Sequence, residues 1–131
     1  AETLAFYEEL LECSRGRESN DWVDLNFLGH QLVLHRVERA ARDRADTNPV
    51  DGEHVPVPHF GVVLAWDVFE SLIQRLAAQQ CDFMIPPTTR FEGRVGEQRT
   101  CFLKDPSGNC LEFKTFRQPD RLFAADMETY Q

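Results

Sequence analysis

Two side chains in this 131-residue chain stand out for the atoms they offer: His59, which opens an apolar run, and Glu112, which lies in the last apolar run before the tail. An imidazole nitrogen and a carboxylate oxygen are donors that a divalent cation accepts, and two histidines with one carboxylate on different strands leave positions open for substrate. Taken singly, each has an ordinary reading: a strand-face Glu is usually solvated, and a His at a strand start is usually a surface residue. Arg90, Arg94 and Gln98 fall in a polar stretch and could grip a carboxylate or keto-acid oxygen, Arg through its planar fork, with plain solvation as the alternative. Asp24 and Asn26, beside Trp22, are polar residues on an inward strand face, where ligand or water must supply partners. His35 could serve as an acid–base group. His30 alternates to the other side, and His54 falls in a polar connector.

The elements that would position these residues follow from periodicity. Leu4, Phe6, Tyr7, Leu10 and Leu11 recur at helical spacing over 2–11. Residues 16–20 read as a turn, and Val23, Leu25 and Phe27 alternate with polar partners as a strand, which Gly29 turns into a second strand over 30–37. Residues 38–58 are predicted to be a polar connector, broken by Asn48–Pro49, Asp51–Gly52, Pro56 and Pro58, with a short helical turn at its start. A strand over 59–66 leads to a helix capped by Asp67, with Val68, Phe69, Leu72, Ile73 and Leu76 on its apolar side. Strands are predicted over 81–85, 100–103 and 110–116, with a long polar excursion from Pro86 to Gln98 and a tight turn at Asp105-Pro106-Ser107-Gly108-Asn109. The tail after Arg117 is read as at most a short helix. Alternation sets Leu111 and Phe113 against Cys110, Glu112 and Lys114, and sets Phe60, Val62, Leu64 and Trp66 against His59, Gly61, Val63 and Ala65. With the bulky faces turned to the helices, His59 and Glu112 share the opposite face.

The two halves of the chain look alike. Phe6 and Tyr7 align with Leu72 and Ile73, Gly29 with Gly108, and Leu32 with Leu111, while the excess length of the second half falls in its long loop. His59 then maps to a position before Ala1, so an opening strand of the first module is expected ahead of these residues. The modules divide as 1–50, 51–117 and a tail of 118–131.

Leu4-Ala5-Phe6-Tyr7-Glu8-Glu9-Leu10-Leu11, Pro58-His59-Phe60-Gly61-Val62-Val63 and above all Lys104-Asp105-Pro106-Ser107-Gly108-Asn109-Cys110-Leu111-Glu112-Phe113 resemble the vicinal oxygen chelate superfamily of glyoxalase, bleomycin-resistance and extradiol dioxygenase proteins. The stretches 26–31 and 96–98 look most like its small dioxygenase-like members. The resemblance implies an α+β fold of two strand–helix–three-strand (βαβββ) modules in an open, curled mixed sheet with helices outside. It also implies a metalloenzyme in which His59 and Glu112 hold Fe(II), or else Mn, Zn or Ni, against a small oxygenated substrate, and a homodimer. His35 would be catalytic, and Asp24, Asn26, Arg90 and Gln98 would bind substrate. Val33 aligns with Glu112, which argues against a symmetric four-ligand glyoxalase site. Phe102 stands where extradiol catechol dioxygenases carry an active-site Tyr, which argues against catechol ring cleavage. The alternatives are a non-catalytic binder of the bleomycin-resistance kind and a glyoxalase-like lyase or isomerase.

Totals narrow the partners. A formal net charge of −8, with 42% hydrophobic and 27% charged residues, describes a folded domain that repels nucleic acid and anionic lipid. The densest basic stretch, with Arg36, Arg39, Arg42 and Arg44, is interleaved with Glu38 and Asp43. No signal-peptide or membrane-spanning pattern is present, so a cytoplasmic protein is expected. Cys13, Cys81, Cys101 and Cys110 lack zinc spacing and are expected as thiols, although Cys101 and Cys110 could face each other across a hairpin.

Overall fold

The computed structural model describes residues 1–38, 47–50 and 52–125. Arg39, Arg42, Arg44, the helical turn expected at the head of the connector, Asp51 and the end of the tail lie outside the described residues. The chain is α+β with open sheets, and forms two compact units, Ala1–Arg44 with Asp105–Asn109, and Ala45–Lys104 with Cys110–Gln131.

In the first unit, helix α1 (Glu2–Ala5) runs into a π-helical stretch, Phe6–Leu10, where the Leu11 N–H reaches the Phe6 carbonyl at 3.2 Å. This stretch buries Tyr7, whose ring meets Phe27 edge-on at 6.2 Å. Strands β1 (Ser14–Glu18), β2 (Trp22–Phe27) and β3 (His30–His35) form an antiparallel sheet in that order. β1 replaces the turn expected at 16–20. All its residues are exposed, so it carries no two-residue hydrophobic alternation, and its order comes from pairing with β2 (Arg15 against Leu25). The β2–β3 turn holds Leu28 and Gly29 at φ of 52° and 89°, the left-handed pair of a two-residue hairpin loop.

The second unit opens with a hairpin, β4 (Thr47–Val50) and β5 (Glu53–Pro56), where a polar connector is expected from the sequence. Val50 pairs with Glu53 and Gly52 sits at φ 83°, so Gly52 serves a hairpin and not merely as a breaker. Next come β6 (Phe60–Leu64), α2 (Trp66–Ala78), β7 (Ile85–Arg90), β8 (Gln98–Lys104) and β9 (Cys110–Phe116). The sheet runs β6-β9-β8-β7, with β6 parallel to β9 and the other pairs antiparallel. Helix α2 packs on β9. It buries Phe69, Leu72 and Leu76 on the side of the sheet that holds Leu111, Phe113 and Thr115, each burial contributing roughly 1.5–3 kcal/mol for the apolar side chains. Asp67 does not cap α2: the N-cap is Ala65 without a side-chain bond, and Asp67 acts in the first turn, where a carboxylate meets the positive end of the helix dipole.

The strand expected over 81–85 begins where that reading ends it, and β7 takes up Pro86 and Pro87, so the long excursion shrinks to residues 91–97. β7 is the edge of its sheet, and a register shift separates Ile85 from Thr88. Edges and bulges are the places where a residue without an N–H is tolerated in a strand. Cys101 pairs with Phe113 and Cys110 with Lys104, so the two thiols do not face each other, and all four cysteines are free. Burial above all pushes the Cys101 thiol up to about 12, which keeps it protonated and unreactive. A single 3-10 turn, Pro119–Arg121, occupies the described part of the tail. Among the described residues no helix is long and apolar enough to cross a membrane.

Candidate functional site

The parallel pairing of β6 with β9 sets Gly61 directly opposite Glu112. The backbones approach so closely that a Cβ at position 61 would stand 1.8 Å from the Glu112 carbonyl oxygen. His59, two residues before Gly61, therefore comes to the same side of the sheet as the Glu112 carboxylate, and His59 Nε2 lies 3.6 Å from Glu112 Oε1. His59 Nδ1 is 2.7 Å from the Pro56 carbonyl oxygen, which can only accept. In the neutral imidazole this contact puts the ring proton on Nδ1 and the lone pair on Nε2, the arrangement found behind metal-bound imidazoles. Phe102 steadies the ring edge-on at a centroid distance of 5.1 Å and, lacking a hydroxyl, offers no proton there.

Glu112 is held from its other oxygen. Thr100, fully buried on β8, donates its hydroxyl to Oε2 at 2.6 Å, and Lys114 Nζ stands 3.5 Å from the same atom. The His59 and Glu112 side chains keep 29% and 17% exposure, enough to meet a ligand. They open on a cavity of about 550 Å³ whose walls also include Val63, Arg90, Phe91, Gln98, Lys114, Phe116 and Leu122. Among the described residues there is no group of three or more His, Cys, Asp or Glu side chains that could hold a metal. The donor chemistry fits a divalent ion as a pair, and such an ion would keep most of its coordination positions for other donors.

The structure brings His59, Glu112, Arg90 and Gln98 to one cavity. Gln98 is buried, with its Nε2 3.4 Å from the Gly96 carbonyl, and Arg90 is its partner across β7 and β8. Arg94 is exposed and does not line the cavity. The rest of the loop over 91–97 has structural duties: Glu97 accepts from the Gly93 N–H at 2.8 Å and from Arg117 Nε at 3.0 Å, and Arg117 lies over the Trp66 ring at 3.7 Å. Asp24, Asn26 and His35 belong to the first unit and line other depressions. Asp24 pairs with Arg17 at 3.2 Å, Asn26 accepts the Gly29 N–H at 2.8 Å as a turn residue, and His35 lies beside Trp22 and Arg36. Thr100 and Lys114 are additions to the site. Alternation already set Lys114 on the Glu112 face, whereas Thr100 needed the β8–β9 register, which pairs it with Lys114.

A family model for the Glyoxalase/Bleomycin resistance protein/Dioxygenase superfamily matches residues 1–113, and the chain belongs to this superfamily. A glyoxalase/bleomycin resistance protein/dioxygenase from Alicyclobacillus acidocaldarius is 31% identical at a TM-score of 0.75, the match covering 93% of this chain and 86% of that one. The fosfomycin resistance protein FosX from Listeria monocytogenes is 13% identical at a TM-score of 0.65 (92% and 87% covered). Lactoylglutathione lyase from Agrobacterium tumefaciens is 16% identical at 0.56 (87% and 83% covered). The last two share the fold. No curated protein matches the chain.

Proposed function

We propose that this chain is a metal-dependent vicinal oxygen chelate enzyme of the dioxygenase-like kind, in which His59 and Glu112 are two of the ligands of a divalent ion, Fe(II) first among the candidates. The observation that carries the reading is the convergence of His59 Nε2 and Glu112 Oε1 at 3.6 Å, with the His59 proton committed to Pro56 on the far side of the ring. A divalent ion at this pair supplies Lewis-acid polarisation and a template for two neighbouring substrate oxygens. The protein's own residues do the rest: Thr100 fixes the Glu112 carboxylate, Phe102 fixes the imidazole plane, and Val63, Phe91 and Phe116 shield the small organic substrate from water. We expect a homodimer, as superfamily members commonly form.

Metal analysis of protein purified without oxygen tests the reading. Near one divalent ion per chain is expected in the wild type and almost none in His59→Ala; a metal-free wild type, or metal retained in the variant, sinks it. Thr100→Val keeps shape while removing the hydroxyl that orients Glu112, and is expected to weaken metal binding about 10–100-fold with the fold retained, checked by competition with a chelator.

Lys114 favours a second reading. An ammonium 3.5 Å from Glu112 Oε2 offsets part of the carboxylate's charge without a metal, as suits a non-catalytic binder of small molecules. A metal-free wild type that still binds organic ligands decides for it.

A further inference from the structure

We infer that the cavity selects small organic anions and that Lys114, with Arg90, reads the oxyanion. The inference rests on this cavity being the ligand site, but not on a metal being bound there.

Lys114 is not needed to satisfy Glu112. Thr100 already donates to Oε2 at 2.6 Å, and the 3.5 Å from Lys114 Nζ to that oxygen is well beyond the ~2.7–2.9 Å of a charge-assisted hydrogen bond. An ammonium has three donors, and the side chain is only 25% exposed, so its charge is partly withdrawn from water inside the cavity wall. Such a group gains most from an anion that enters beside it.

Register brings a second cation to the same wall. Thr100 pairs with Lys114 and with Thr88, and Gln98 pairs with Phe116 and with Arg90, so Lys114 and Arg90 project from one face of the sheet on strands two apart. Two strand spacings are roughly 10 Å, a gap that two long side chains close around a molecule of a few heavy atoms. Among the described residues the charged groups lining the wall are two cations, Arg90 and Lys114, and one anion, Glu112, in a chain of formal charge −8. Lining charge of one sign concentrates ligands of the other. Val63, Phe116 and Leu122 supply the apolar remainder, which suits a short carbon body bearing a carboxylate or phosphonate.

The test uses metal-free protein in chelator, titrated with lactate, phosphonoacetate and the neutral isostere lactamide by ligand-observed NMR. Both anions, or one of them, should bind at least about tenfold more tightly than lactamide and weaken as salt rises. Which anion wins distinguishes a carboxylate from a phosphonate ligand. Lys114→Met should lose that preference, and Lys114→Arg should keep most of it. Equal affinity for anions and lactamide, no binding by either, or an unchanged preference in Lys114→Met overturns the inference. Because the anion titrations contain no metal, they can fail while the metal assignment stands, and the reverse.

Discussion

Gly61→Ala is expected to yield little folded protein. The added Cβ would lie 1.8 Å from the Glu112 carbonyl oxygen and 2.7 Å from its carbonyl carbon. Both are backbone atoms of the neighbouring strand, so no side-chain rotation relieves the clash. Relief requires β6 and β9 to separate where they pair in parallel, and β9 is an inner strand on which α2 packs. A loss of about 4 kcal/mol or more follows, enough to consume much of a small domain's stability. Urea denaturation of wild type and Gly61→Ala measures it, and a midpoint shift worth less than about 1 kcal/mol would show that the strands yield more easily than the geometry implies. The same close approach brings His59 to Glu112, so any folded fraction should also bind metal poorly. Val63→Ala, on the same strand face but half exposed, should be nearly silent in both assays.

What the sequence reveals depends on whether the deciding interaction is local. Side-chain alternation alone places His59 and Glu112 on a common face, because a two-residue period needs no knowledge of the partner strand. Helix α2 was legible in the same way, from the recurrence of Phe69, Leu72 and Leu76. The elements misread are those whose order comes from a neighbour. β1 is polar throughout and exists by pairing with β2, and β7 carries two prolines that only an edge position tolerates. The β4–β5 hairpin at Gly52 is hidden among the surrounding breakers. Within the site, Lys114 was visible on the Glu112 face, yet its proximity to Oε2 is a matter of rotamers. Thr100 required the β8–β9 register, and Asn26 drew attention as an inward polar group although its partner is the Gly29 N–H in its own turn.

The other large effect is expected at Asp105, which is 3% exposed and gathers four donors. Its Oδ1 accepts the N–H groups of Ser107 at 3.0 Å and Asn109 at 2.8 Å, while Oδ2 accepts Asn109 Nδ2 at 2.9 Å and the Tyr7 hydroxyl at 2.8 Å. Burial first, and the Asp105 carboxylate second, push the Tyr7 hydroxyl well above its ordinary range, so it remains a donor at any physiological pH. Asp105→Ala removes the acceptor from all four at once and strands the fully buried Tyr7 hydroxyl. The expected loss is about 3–5 kcal/mol, because a buried donor left without its charged partner forfeits the full cost of its desolvation. Tyr7→Phe alone should cost about 1–2 kcal/mol. In the Asp105→Ala background, however, Tyr7→Phe should cost almost nothing or recover stability, since it deletes the orphaned hydroxyl. That non-additivity, read from urea midpoints of the four proteins, is the discriminating result. Strictly additive losses would mean that the Tyr7–Asp105 bond contributes nothing of its own and that Asp105 serves the turn alone.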